Sequence, residues 1–208
     1  MIIARSFSNK TVAVMGLARS GKAAVSSLML GGARVLAWDD NPKRRKEVST
    51  NGVEVRDLHS INFEDLDALV LSPGIPHSFP KPHPVAAKAK ASGVPIIGDI
   101  DIFAKNFKNN RIIGVTGTNG KSTTTSLIGH VLSHSNISNE VAGNIGRPVL
   151  EMSSDTRPDF IVLELSSYQL ELSPSLACSI AVLLNITPDH LDRHGGMEGY
   201  VRAKRRIF

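Results

Sequence analysis

Apolar and polar positions along the chain alternate between short β-rich runs and stretches of helical period. Thr11–Met15 is an apolar run that ends at Gly16, after which Ala23, Ala24, Val25, Leu28 and Leu30 recur at helical spacing as far as Gly31-Gly32. Arg34–Trp38 is the next run and closes on Asp39-Asp40. The first forty residues therefore predict strand, glycine turn, helix, strand. Val53–Val55 and Ala68–Leu71 predict further strands, the second feeding Ser72-Pro73-Gly74-Ile75-Pro76, a loop where a ligand can meet strand C-termini. Pro84–Ser92 reads as a helix, Val94–Ile97 as a short strand, and Gly98–Phe103 as a hinge.

After the hinge the alternation restarts. The apolar run Ile112–Val115 leads into Gly117-Thr118-Asn119-Gly120-Lys121-Ser122-Thr123, and a helix is predicted from Lys121 to about Ser133. Each residue type in that loop has a reason to meet phosphate. Glycines let successive backbone N–H groups converge on anionic oxygens, the helix dipole favours the same charge, Lys121 adds a cation, and the Ser122 hydroxyl can ligate Mg²⁺. The usual phosphate-loop spacing places glycine six residues before the lysine, and Val115 stands there, with glycines on either side of that position. The earlier turn Gly16–Gly21 followed by Lys22 imitates such a loop but continues with Ala23, which has no hydroxyl for a metal, so Lys22 is given no catalytic role.

A strand near Ile137–Ala142 leads into a second glycine turn, Gly143–Pro148. Asp159–Leu163 is a buried-type strand ending in Glu164, and Ser179–Leu184 ends in Asn185–His190. A helix opening near Met197 carries Lys204. This order predicts the α/β class: a Rossmann-like parallel-sheet unit over residues 1–97, then an incomplete P-loop ATPase-like α/β unit over residues 98–208. Ligands of such sheets sit beyond the carboxyl ends of the strands. The glycine loop, Glu164 and His190 should therefore share one crevice, with residue types that suit phosphoryl transfer assisted by Mg²⁺.

Composition narrows the classes. The chain has 208 residues, 41% apolar and 21% charged, with no apolar run long enough to span a bilayer, so no membrane insertion is expected. Its N-terminus lacks the pattern of a secretory signal, and one cysteine, Cys178, cannot form an internal disulfide; both suit a cytoplasmic protein. The net charge of +5 draws on basic clusters at Lys43–Lys46 and Arg202–Arg206, but no aromatics are interleaved with them as a nucleic-acid platform requires. No nucleic-acid partner is expected. His190 and His194 have the spacing of a zinc-protease helix, yet Leu191 stands in place of the catalytic glutamate, which argues against zinc hydrolysis.

The motifs Gly117–Thr123, Gly143-Asn144-Ile145-Gly146, Glu164–Gln169 and Asn185–His194, in this order, resemble the Mur ligase family. Within it, the loops Ser72–Pro76 and Gly98–Phe103 and the stretch Tyr200–Phe208 resemble the branch that adds D-glutamate to UDP-N-acetylmuramoyl-L-alanine. The resemblance implies that Arg19, Ser20, Asp39, Ser72, Pro73 and Gly74 bind the UDP part of the substrate and that Asn144 and Gln169 touch it from the second unit. It implies ATP binding by Gly117–Thr123, catalytic roles for Lys121, Glu164, His190 and Lys204, and Mg²⁺ held by Ser122, Glu164, His190 and a carbamylated Lys204. Asp40 and Asn41 stand where the family pattern has a hydroxyl and a basic residue. Family members continue into a third domain, so the resemblance also implies an N-terminal piece or truncated product, inactive alone, that behaves as a monomer. Its second unit, ending in mid-architecture, is expected to be less protected around Val162 and Val182 than the first is around Val14 and Leu36. The alternatives are another Mur-type ligase, a folylpolyglutamate-type amide ligase, disfavoured by the first hundred residues, and a nucleotide-binding fragment without catalysis.

Overall fold

A computed structural model describes residues 1–49, 52–107, 111–155 and 157–208. The fold is α/β with two parallel sheets. In the first, β1 (Thr11–Met15), β2 (Arg34–Trp38), β3 (Glu54–Val55), β4 (Ala68–Leu71) and β5 (Ile96–Ile97) lie in the order β3-β2-β1-β4-β5. In the second, β6 (Arg111–Thr116), β7 (Asn139–Gly143), β8 (Phe160–Glu164) and β9 (Ile180–Leu183) lie in the order β7-β8-β6-β9. In each sheet the first strand, β1 or β6, has neighbours reached by crossovers to opposite sides, which opens a crevice at its carboxyl end. Gly16 follows β1 and Gly117 follows β6, so both glycine turns stand at these crevices.

The helices are α1 (Arg19–Leu30), α2 (Pro42–Ser49), α3 (Pro84–Ala91), α4 (Asp99–Asn106), α5 (Lys121–His134), α6 (Ser167–Glu171), α7 (Leu191–His194) and α8 (Met197–Arg205). The stretch expected as a hinge is α4. Its N-cap Gly98 is extended, Asp99 and Asp101 occupy the first turn where the helix dipole favours anions, and Ile100, Ile102 and Phe103 are buried. Six residues were too few for the apolar spacing to separate a short buried helix from a connector. The basic run Lys43–Lys46 lies in α2, whose sole buried residue is Val48, so no amphipathic pattern announces it.

One core joins the two sheets. Val12, Val14 and Leu28 from the first share it with Ile102 and Phe103 of α4 and with Ile161 and Leu163 of β8. The chain start is tied in as well, because Ile2 N donates to Leu150 O at 2.9 Å. Full burial of a side chain such as Leu28 or Leu163 contributes about 1.5–3 kcal/mol, so this shared core fixes the crevices relative to one another.

Candidate active site

The glycine loop is held open by its own neighbours. Gly120 is left-handed at φ 83°, a conformation that costs a non-glycine residue about 1 kcal/mol or more, and it starts α5. The loop is laced to the segment after β9: Thr118 N donates to Asn185 O at 3.1 Å, Asn119 N to Asn185 Oδ1 at 3.0 Å, and Asn185 Nδ2 to Asn119 O at 3.1 Å. Lys121 Nζ bends back over the loop, donating to Gly117 O and Thr118 O, both at 2.9 Å. Ser122 and Thr123 are exposed at the first turn of α5. Thr118 Oγ1 sits 3.0 Å from the hydroxyl of Tyr200, so α8 is braced against the loop.

Lys204 is brought to the same place. The residue is 1% exposed, and its Nζ donates to Gly117 O at 2.8 Å and lies 3.4 Å from Thr116 Oγ1. Burial first, and then the Lys121 charge, bring its pKa down to about 8 against the opposing pull of Asp189. The sequence places Arg202, Arg205 and Arg206 around it, but those residues are exposed and α8 turns Lys204 inward with Tyr200, Ala203 and Ile207.

Glu164 ends β8 opposite Val115. It is 1% exposed; Oε1 accepts from Asn144 Nδ2 at 2.7 Å, while Oε2 has no partner among the described residues. A buried carboxylate oxygen left unpaired is costly unless a cation or donor meets it. With the Ser122 hydroxyl, this oxygen offers hard donors of the kind Mg²⁺ prefers, and the residues fit that ion. His190 stands apart in character: it is left-handed at φ 50°, half-exposed, 3.5 Å from an Asp189 oxygen, and its ring lies 5.1 Å from that of Tyr168.

Five of the expected substrate residues converge. Arg19, Ser20, Pro73, Asn144 and Gln169 line a cleft of about 290 Å³ between the glycine turn of α1 and the loop after β7. Arg19 Nη2 donates to Gly146 O at 2.9 Å and closes one side of it. Asp99 also lines the cleft, with Oδ1 unpartnered among the described residues and burial pushing its carboxyl up to about 6; the sequence gives it no role, because its isolation is visible only in three dimensions. Ser72, Gly74 and Asp39 do not line it. Ser72 Oγ donates to Gly16 O at 3.0 Å, Gly74 O accepts from Arg193 Nη1 at 3.0 Å, and Asp39 accepts from Leu17 N at 2.7 Å and Asn41 N at 2.8 Å. A larger cleft of about 850 Å³ lies at the opposite end of the second sheet, against Arg111 and Asp159, away from every strand carboxyl end that carries chemistry.

The histidine pair of the zinc spacing does not converge. His190 caps the four-residue α7 in the open, whereas His194 is buried, its Nε2 2.9 Å from Ser167 Oγ and its Nδ1 3.1 Å from Glu171 Oε1. Lys22 is ion-paired with Glu47, away from the glycine loop of the second sheet. Cys178 is half-buried, and burial pushes its thiol up to about 11, which keeps it protonated and unreactive.

Residues 115–208 match the family described as Mur ligase middle domain. The whole chain is 51% identical over 214 residues to a UDP-N-acetylmuramoylalanine--D-glutamate ligase from Caulobacter sp. (strain K31), covering 46% of that protein. It is 47% identical over 208 residues to the enzyme of the same name from Paramagnetospirillum magneticum (strain ATCC 700264 / AMB-1), again covering 46%. Among solved structures, UDP-N-acetylmuramate:L-alanyl-gamma-D-glutamyl-meso-diaminopimelate ligase from Neisseria meningitides superposes with a TM-score of 0.55 at 19% identity, over 96% of this chain and 68% of that one. A murein peptide ligase from Psychrobacter arcticus 273-4 gives 0.52 at 16% identity, over 96% of this chain and 47% of that one, so both likenesses concern the fold. The chain spans about half the length of the curated relatives it matches, and its residues 115–208 belong to the Mur ligase middle-domain family.

Proposed function

We propose that this chain supplies the UDP-substrate-binding unit (residues 1–97) and the N-terminal part of the ATP-binding unit (residues 98–208) of a ligase that joins D-glutamate to UDP-N-acetylmuramoyl-L-alanine at the expense of ATP. The observation that carries the reading is the convergence of Lys121, Lys204 and the unpartnered Oε2 of Glu164 at the carboxyl ends of β6 and β8. The relatives at about half identity bear the name of that activity.

Backbone N–H groups of Gly117–Thr123 bind the ATP phosphates, and Lys121 leaves its carbonyl partners to neutralise charge on the transferring phosphoryl group. Arg19 and Ser20 anchor the UDP end, while Pro73, Asn144 and Gln169 fix the acyl-amino-sugar end so that its L-alanyl carboxylate faces the glycine loop. Asp39, Ser72 and Gly74 shape the first glycine turn that presents Arg19. Ser122, Glu164, His190 and Lys204 as its carbamate would hold Mg²⁺, which supplies charge neutralisation at the phosphates when bound. The carboxylate oxygen takes the γ-phosphoryl group and ADP leaves. The amine of D-glutamate then attacks the acyl phosphate, forming the amide and releasing phosphate and a proton. The protein works in the cytoplasm as a monomer, and the described residues contain no helix long and apolar enough to cross a membrane.

Calorimetric titration of this polypeptide with UDP-N-acetylmuramoyl-L-alanine and with ATP tests the reading. Binding of both is expected, the first weakened by Arg19→Ala and the second by Lys121→Ala. Binding of ATP with no affinity for the UDP compound would leave a nucleotide-binding fragment of another amide ligase as the better account.

A further inference from the structure

We propose that Asp40, His59 and His83 form a binding site for a divalent cation of the zinc, cobalt and nickel class, at the carboxyl end of β2 and apart from the glycine-loop crevice. Two imidazoles converge on one carboxylate: His59 Nε2 lies 3.3 Å from Asp40 Oδ1, and His83 Nε2 lies 3.0 Å from Asp40 Oδ2. One ligand atom from each residue falls within 4.8 Å of the other two. Metal bonds of about 2.0–2.1 Å at tetrahedral angles place neighbouring donors roughly 3.3 Å apart, and each imidazole nitrogen already stands at about that distance from one carboxylate oxygen, a different oxygen for each ring. A metal bound through both carboxylate oxygens leaves the edge between the two imidazoles to close, across rings 5.6 Å apart between centroids and tilted by 51°.

The donors sit on separately anchored segments. His59 lies in a turn in which its N–H donates to Asp57 Oδ1 at 2.9 Å, His83 caps α3, and Asp40 follows β2. Trp38 Nε1 donates to Asp40 Oδ1 at 3.2 Å and sets the carboxylate plane, the orienting role that neighbours of metal ligands commonly play. Imidazole donors select borderline ions over Mg²⁺, so this site, with two imidazoles to one carboxylate, is chemically distinct from the oxygen-dominated set around Glu164.

Two features limit affinity. Arg45 and Lys88 flank the cluster, but they donate to backbone carbonyls of Asp39, Asp40, His59 and Ile61 and leave the three donors to one another. His83 Nδ1 accepts from Val85 N at 3.3 Å, which puts the ring proton on Nε2. Metal binding at Nε2 moves that proton to Nδ1 and releases this long cap bond. The ion would staple the end of β2 to the turn at residue 59 and to the start of α3.

The test does not depend on the ligase reading, since it uses metal alone. His130 and His134, stacked one turn apart on α5, form a competing pair, so the work is done in a His130→Ala background. Co²⁺ is added and visible absorption recorded, with Zn²⁺ followed by calorimetry and thermal melting. One equivalent of Co²⁺ with tetrahedral d–d bands is expected, unaffected by excess Mg²⁺, and Zn²⁺ should raise the melting temperature. His59→Ala, in an exposed turn, should lose the bands, and Asp40→Asn should weaken binding by about tenfold or more. Unchanged affinity in both variants, or no binding in the background protein, would overturn the site.

Discussion

Lys204 shows how much one residue's placement decides. Its folded pKa of about 8 lies below the ordinary 10.5, so as pH falls from 10.5 towards 8 the unfolded chain takes up the proton first. The resulting destabilisation is complete below about pH 8 and is relieved as pH rises from about 8 to 10.5. The difference corresponds to about 3 kcal/mol before the hydrogen bond to Gly117 O is set against it. Lys204→Met should therefore be more stable than the parent at pH 7 by urea denaturation, with the advantage shrinking as pH rises from about 8 and gone beyond 10.5. The same burial raises the neutral amine at pH 7 to roughly one in ten, the form that reacts with CO₂. A ¹³C carbamate signal from labelled bicarbonate should then appear with Mg²⁺ and ATP and vanish in Lys204→Met. At Lys121, replacement by Ala should weaken phosphate binding and, in the full-length ligase, lower turnover by about two to three orders of magnitude in steady-state assays, while Lys22→Ala should change little.

Elements carry the site through close backbone approach. Gly143 ends β7 at φ 108°, and a Cβ there would stand 2.3 Å from the carbonyl oxygen of Glu164. Gly143→Ala should displace the end of β8 and cost more than about 2 kcal/mol in chemical denaturation, whereas Gly93→Ala, left-handed in open space, should cost about 1 kcal/mol. Equal losses would mean that strain, not the approach to Glu164, dominates. In α6, Ser166 and Gln169 form a capping box, with Gln169 N donating to Ser166 Oγ at 3.2 Å. The motif Ser166–Gln169 contains the Ser-x-x-Gln pattern of that cap, so this helix was legible in the chain, although its neighbours drew attention to ligands instead. α4 was not legible, because its apolar residues are buried between two sheets that no local window contains.

Across the whole molecule, protection follows position in each sheet. Val12, Ala13 and Val14 in central β1 are fully buried, and amide exchange there should be slow. The sequence ranks Val162 and Val182 alike, but β8 lies between β7 and β6 with Val162 fully buried, whereas β9 is an edge with Ile180 48% exposed. Slow exchange at Val162 and faster exchange at Val182 are therefore expected by hydrogen–deuterium mass spectrometry. Uniform protection across β8 and β9 would show that the β9 edge is covered in solution.

The chain alone determined the α/β class, the two glycine turns, the strand–loop–helix junction at Gly117–Ser122 and the acid at the end of β8. Those features are local: hydrogen-bond valence, φ preference and apolar period are written in a few adjacent residues. Tertiary structure decided that Lys204 points inward and loses basicity, that Glu164 keeps one oxygen unpaired, that Arg19 meets Gly146, and that His194 is buried against Ser167 while His190 is not. These are relations between residues far apart in the chain. Burial and the distance between charges set their energies, and neither exists until the two sheets close on a common core.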